Sequence, residues 1–162
     1  MLFRSEDVGR VTVTTKKLKK REEVILFAKK RFQAKCSRLQ LLANSTRSFV
    51  DKDGVGYYFV SSKVYKKSRG KQYWYGYRRE PLQNIFAGCK SVTLCYVMAD
   101  DYKIVLLPQA DIEAQIEKLH VSLHDDGSAH WHIKFIRDAN DKVVWLVGHE
   151  SKGEMIEIPT VV

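Results

Sequence analysis

A chain of 162 residues has the size of one domain, and at that length roughly two-thirds of the unfolded surface can be buried in a single core. No apolar run reaches the roughly 18 residues that a bilayer-spanning helix needs, and Met1 to Arg10 lacks the apolar centre of a secretory signal, so a soluble cytoplasmic protein is expected. The net charge of +9 is uneven: 21 Lys and Arg stand against 6 Asp and Glu up to Arg79, but 7 against 13 from Glu80 onward. A basic half of this kind suits a polyanion, of which nucleic acid is the commonest in a cell, although basic surfaces also arise for solubility.

Residues 1–15 read as an extended arm, with Val8 to Thr15 alternating like a short strand. From Lys16 to Asn44, Leu18, Ile25, Ala28, Phe32, Cys36, Leu39 and Ala43 recur at threes and fours, which predicts a basic amphipathic helix over 16–44. Lys16, Lys17, Lys19 and Lys20 put positive charge at the positive end of its dipole, so either the first turn frays or an anion compensates it. Asn44 to Thr46 and Asp51 to Gly54 are turn formers.

The stretch Gly56 to Arg79, GYYFVSSKVYKKSRGKQYWYGYRR, places two aromatic-rich strand formers around a KKSRGK turn and predicts a basic β-hairpin. Tyr73, Tyr75 and Tyr77 alternate with Trp74, Gly76 and Arg78, so one face is core and the other is free. Leu82, Ile85 and Phe86 behind Pro81 predict a short helix, and Ser91 to Met98 and Tyr102 to Leu107 predict central strands joined at Asp100-Asp101. A second short helix follows Pro108, from about Gln109 to Leu119. Strands at His130 to Ile136, Lys142 to Val147 and Met155 to Ile158 complete a sheet-rich body over 56–158. The expected fold is one α+β domain over 1–162, with an antiparallel or mixed sheet of about six strands, a long basic N-terminal helix and two shorter helices.

Three kinds of chemistry are open. On the hairpin, Lys63, Lys66, Lys67, Arg69, Lys71 and Arg78 suit phosphate, and Tyr73, Trp74 or Tyr75 suit base stacking. The bland alternative makes the aromatics core and the lysines a solvated turn. Cys36, Cys89 and Cys95 are odd in number with no C-x-x-C spacing, which argues against a zinc finger or a disulfide framework. His130 and His132 share a polar strand face with Lys134 while Trp131, Ile133 and Phe135 face the core; without a third converging ligand, no metal site is assigned.

Asp51 or Asp53, some ten residues before Ser61-Ser62-Lys63, has a spacing that resembles the PD-(D/E)XK nuclease core, which implies Asp51, Asp53 and Lys63 as catalytic candidates around Mg²⁺. Ser61 departs from that pattern, standing where the second carboxylate belongs. More broadly, SSKVYKKSRGKQYWYGYR, the IVLLP strand entering a helix, and HWHI resemble small bacterial domains associated with restriction and defence nucleases, which implies a DNA-related setting. The leading expectation is a non-enzymatic nucleic-acid-binding domain, with DNA the expected polymer, that uses the basic hairpin and the basic helix. The alternatives are a metal-dependent nuclease and a module in which the 16–44 helix pairs with a protein partner or a second copy.

Overall fold

The computed structural model describes residues 20–34, 38–42, 45–67, 70–148, 153–158 and 161–162. In chain order its elements are α1 (20–34), β1 (Gln40–Leu41), β2 (Ser48–Val50), β3 (Val55–Ser62), β4 (Tyr65–Lys67), β5 (Gly70–Tyr77), α2 (Arg79–Ile85), β6 (Ser91–Met98), β7 (Ile104–Pro108), α3 (Gln109–Ala114), a 3-10 turn at Ile116–Lys118, β8 (Val121–Leu123), β9 (Ala129–Arg137), β10 (Val143–Val147) and β11 (Glu154–Glu157). The α+β class is as expected, with the N-terminal helix and two shorter ones. The strand or arm expected at 8–15 lies outside the described residues.

The strands form two sheets. The first runs β1-β2-β3-β6-β7 and is mixed, because β3 and β6 are parallel; the second runs β11-β10-β9-β5-β4, all antiparallel, with β8 pairing the start of β9. Alternate residues of the first sheet explain the layering. Leu94, Tyr96, Met98, Val105 and Leu107 meet Tyr73, Tyr75, Tyr77, Ile133, Phe135 and Trp145 of the second sheet, whereas Phe59, Cys95, Val97 and Ile104 meet Val24, Ile25, Ala28 and Phe32 of α1. The order is therefore α1, first sheet, second sheet. A strand covered on both faces must be apolar throughout, hence the continuous run of β6; β5 alternates from Tyr73 to Tyr77, whereas the end of β9 is buried on both faces at Phe135, Ile136 and Arg137.

Two expectations are corrected. The helical pattern to Asn44 does not persist, because Gln40 and Leu41 pair with Val50 and Phe49; Leu39 is buried beyond the helix, its amide held by the Gln33 side chain at 3.2 Å. The single hairpin over Gly56 to Arg79 also divides. β3 joins β2 and β6 in the first sheet, the chain changes sheet at Lys63-Val64, and only the short β4 pairs with β5. The eight-residue parallel ladder to β6 wins over local pairing because it buries Tyr58, Phe59 and Val60 between or behind the sheets.

Polar ties lock the layers. Arg137, 4% exposed on the inner face of β9, donates to Asp101 at 2.7 Å and Asp141 at 2.9 Å, while the Tyr73 hydroxyl donates to Asp100 at 2.9 Å. Both Asp100 and Asp101 sit in the β6–β7 turn, so the second sheet grips the end of the first. At the other end of β5, Glu113 of α3 accepts from the Tyr77 hydroxyl at 2.6 Å and from Arg79 of α2 at 2.6 Å.

Candidate nucleic-acid interface

The first sheet covers the inner face of the second; on the outer face Gln72, Ile136 and Leu146 are buried and Trp74 is exposed. Strand alternation and the β5–β9 register place Trp74 opposite Lys134 and Gly76 opposite His132 on that face, with Tyr65 opposite the outward Gln72. Trp74 is 46% exposed and Tyr65 38%, and their ring centroids lie 6.0 Å apart. The Lys134 ammonium stands 4.1 Å from the Trp74 ring and the Lys63 ammonium 5.4 Å from the Tyr65 ring. The indole is held in place: its N–H donates to Gln72 at 3.4 Å, and its backbone N–H donates to the Ser62 hydroxyl at 3.1 Å.

Four imidazoles continue this strip. β8 lies beside β9 with Ser122 opposite His130, so His120, Ser122 and His124 share the outer face with His130 and His132. Centroids of His120 and His132, His132 and His130, and His130 and His124 are each 4.8 Å apart. A ring nitrogen of His124 meets one of His130 at 2.7 Å, and the Ser122 hydroxyl meets His132 at 2.8 Å. Burial, followed by the positive charge of neighbours, holds His130 and His132 below the usual histidine range; the neighbours are His124, Arg78 and His120 for the first, and His130, His120 and Lys134 for the second. Among the described residues, no group of three or more His, Cys, Asp or Glu is arranged to hold a metal ion. Between this strip and the end of β10 lies an open groove of about 330 Å³, lined by Trp74, His120, His132, Lys134, Leu146 and Gly148 among others.

The expected site residues divide. Lys63, Lys66, Lys67 and Arg78 are exposed, and among the described residues no carboxylate forms an ion pair with them. Lys71 is spoken for by Asp100 at 3.1 Å, and Arg69 lies outside the described residues. Of the three aromatics nominated for stacking, only Trp74 is presented. Tyr73 is 0% exposed and Tyr75 is buried with its hydroxyl on the Val97 carbonyl at 2.9 Å; both point between the sheets. Burial, reinforced by the Asp100 hydrogen bond, pushes the Tyr73 hydroxyl up to about 12, so it stays a neutral donor.

The nuclease candidates do not converge. Asp51 and Asp53 precede β3 and Lys63 follows it, so a strand of eight residues, about 26 Å at about 3.3 Å per residue, separates them. Asp51 is committed to the turn, accepting from the amides of Asp53 and Val55 and from the Tyr57 hydroxyl. That separation leaves the Mg²⁺-dependent alternative without a clustered carboxylate site beside its lysine.

The basic helix does not join the strip. α1 packs on the far face of the first sheet, so both sheets stand between its exposed Lys20, Arg21 and Lys30 and the outer strip. Sequence reasoning did not nominate Tyr65 or Lys134 for this face, and it weighed His120 and His124, which flank β8, only as a weak metal pair. The alternation His120-Val121-Ser122-Leu123-His124 before Asp125-Asp126-Gly127 was the available signal, and it marks a strand entering a turn. Compared with protein-family models, curated proteins and solved structures, the chain shows no match in any of the three.

Proposed function

We propose that the protein binds nucleic acid, with DNA the expected polymer, through the outer face of its second sheet. The observation that carries this reading is the exposed pair Tyr65 and Trp74, with Lys63 over the Tyr65 ring, Lys134 over the indole and Lys67 in phase with Tyr65, while Lys66 is exposed on the other side of its strand opposite Lys71. Exposed aromatic rings beside lysines combine the two attractions that nucleic acid offers, charge on phosphate and π-faces on bases. The reading differs from the expectation in one respect: α1 takes no part. It includes the cytoplasmic setting expected from sequence; of membrane location, the structure says only that no helix among the described residues is long and apolar enough to cross a bilayer.

The test is a titration of labelled DNA at several salt concentrations. Log affinity should fall linearly with log salt, by about 0.9 per phosphate contacted on a duplex and about 0.7 on a single strand, and Lys66→Glu with Lys67→Glu should weaken binding to every sequence alike. Binding that ignores salt, or no binding at about 50 mM salt, would end the proposal.

A further inference from the structure

We infer that a cleft beside α3, between the edges of the two sheets, takes a small neutral amide: its carbonyl accepts from the Trp145 indole N–H, its N–H donates to the Gln115 side-chain oxygen, and its hydrocarbon part lies against Leu106, Leu107 and Ile156. This goes beyond the nucleic-acid reading and does not depend on it. β7 ends the first sheet and β11 the second, and between them, with α3 alongside, opens a cleft of about 310 Å³, at the small end of the range for ligand sites. Leu106, Leu107, Ile156 and Ile158 make its walls largely apolar.

Two polar atoms of the lining residues are left unpaired. In the same core the hydroxyls of Tyr73, Tyr75 and Tyr77 each find an acceptor, on Asp100, the Val97 carbonyl and Glu113, as buried polar atoms normally do. Among the described residues, the buried side-chain atoms without a partner are the Tyr96 hydroxyl, Trp145 Nε1 and Gln115 Oε1, and the last two belong to residues of this one cleft. Trp145 is 2% exposed, on β10 opposite Ile156, so its N–H is cut off from bulk water. An indole nitrogen only donates and an amide oxygen only accepts, so the pair calls for a ligand with one acceptor and one donor, and an amide carries both in one group. Charge narrows the class further. The exposed carboxylates of Asp111 and Glu157 border the cleft and oppose an anion, which favours a neutral ligand over a phosphate or a carboxylate.

The experiment follows the indole N–H signals of the isotopically labelled full chain by NMR, with Trp145 assigned by elimination through Trp74→Phe and Trp131→Phe. The probes are caprolactam and N-cyclohexylacetamide, whose amides are cis and trans, and the N-methyl derivative of each, which keeps the carbonyl and lacks the donor. At least one of the two amides should shift the Trp145 signal downfield with a dissociation constant on the order of a millimolar, and its N-methyl derivative should bind about tenfold more weakly. Gln115→Leu should remove that tenfold difference, and Ala114→Phe, at an exposed position of α3 that lines the cleft, should abolish binding. Thermal unfolding of both variants guards against misfolding. The inference falls if neither amide moves the Trp145 signal, if the N-methyl derivative binds equally well, or if Ala114→Phe binds as before. It falls too if the indole N–H shows a persistent cross-peak to a bound water that neither amide displaces, since water alone then serves these atoms. DNA binding is read in the separate salt titration, so failure here leaves that proposal standing.

Discussion

Residues 73 to 77 show how one side chain's neighbours decide its role. Tyr73, Tyr75 and Tyr77 are chemically fit to stack on a base, yet all three are buried against the first sheet, and Trp74, one position out of phase, is not. The alternation was legible in the sequence; which face would be covered was not, because that depends on β6 arriving from elsewhere in the chain. The histidines carry a pH prediction. His130 and His132 are held below their usual range by burial and then by nearby positive charge, so the folded state resists their protonation more than the unfolded chain does. Their contribution to stability is complete above about pH 6.5 and is lost as pH falls through the depressed values. On the outer strip these rings face His120, His124, Arg78 and Lys134, with Asp126 beyond His124 and Arg78, while Trp74 and Ser122 are neutral neighbours. Urea unfolding midpoints should therefore drop between pH 7.5 and pH 5.5, and His132→Asn should flatten the slope. A midpoint that rises on acidification would contradict the depression of these two rings.

Among the elements, β4 and its turn are the most exacting. Gly70 has φ +117°, a left-handed value that side chains rarely adopt, and a Cβ on it would stand 2.5 Å from the Arg137 carbonyl. The glycine is what lets β5 begin flush against the end of β9 with Lys66 opposite Lys71. Gly70→Ala should cost about 2 kcal/mol, read as a shift in the denaturant midpoint, and should weaken nucleic-acid binding by misplacing Tyr65 and Lys67; an unchanged midpoint would show that the turn relaxes freely. β6, β7, β9, β10 and β11 were legible in the sequence to within two residues at each end, and α3 at its start, although that helix stops at Ala114 and not at Leu119. The pairing partners were not. Periodicity reports how one strand meets its surroundings, whereas the capture of β3 by β6 is a contact between segments more than thirty residues apart. The two-residue β1, likewise, owes its strand conformation to Phe49 and Val50 opposite rather than to its own helical pattern.

At the scale of the molecule, the described cations of the first half do not gather on one side. α1 carries its share to the far side of the first sheet, where Lys29 lies 4.4 Å over the Phe49 ring and Arg31 donates to the Asp101 carbonyl. Lys71, Lys103 and Arg137 are offset by Asp100, Asp101 and Asp141 at the end where the sheets meet. Beside the exposed rings, Lys63, Lys66 and Lys67 form no ion pair among the described residues, and the Lys134 ammonium lies over Trp74. Net charge alone therefore misplaces the interface, because it counts both sides equally. The separation can be measured with two variants of equal net charge, Lys63→Glu with Lys67→Glu on the outer sheet and Lys20→Glu with Lys30→Glu on α1, each titrated with the same oligonucleotide across a salt series. The outer-sheet pair should lose about tenfold or more in affinity and lower the salt slope by up to about two, leaving the helix pair within about twofold of the unaltered protein. Equal losses in the two variants, or a loss confined to the helix pair, would contradict an interface on the second sheet.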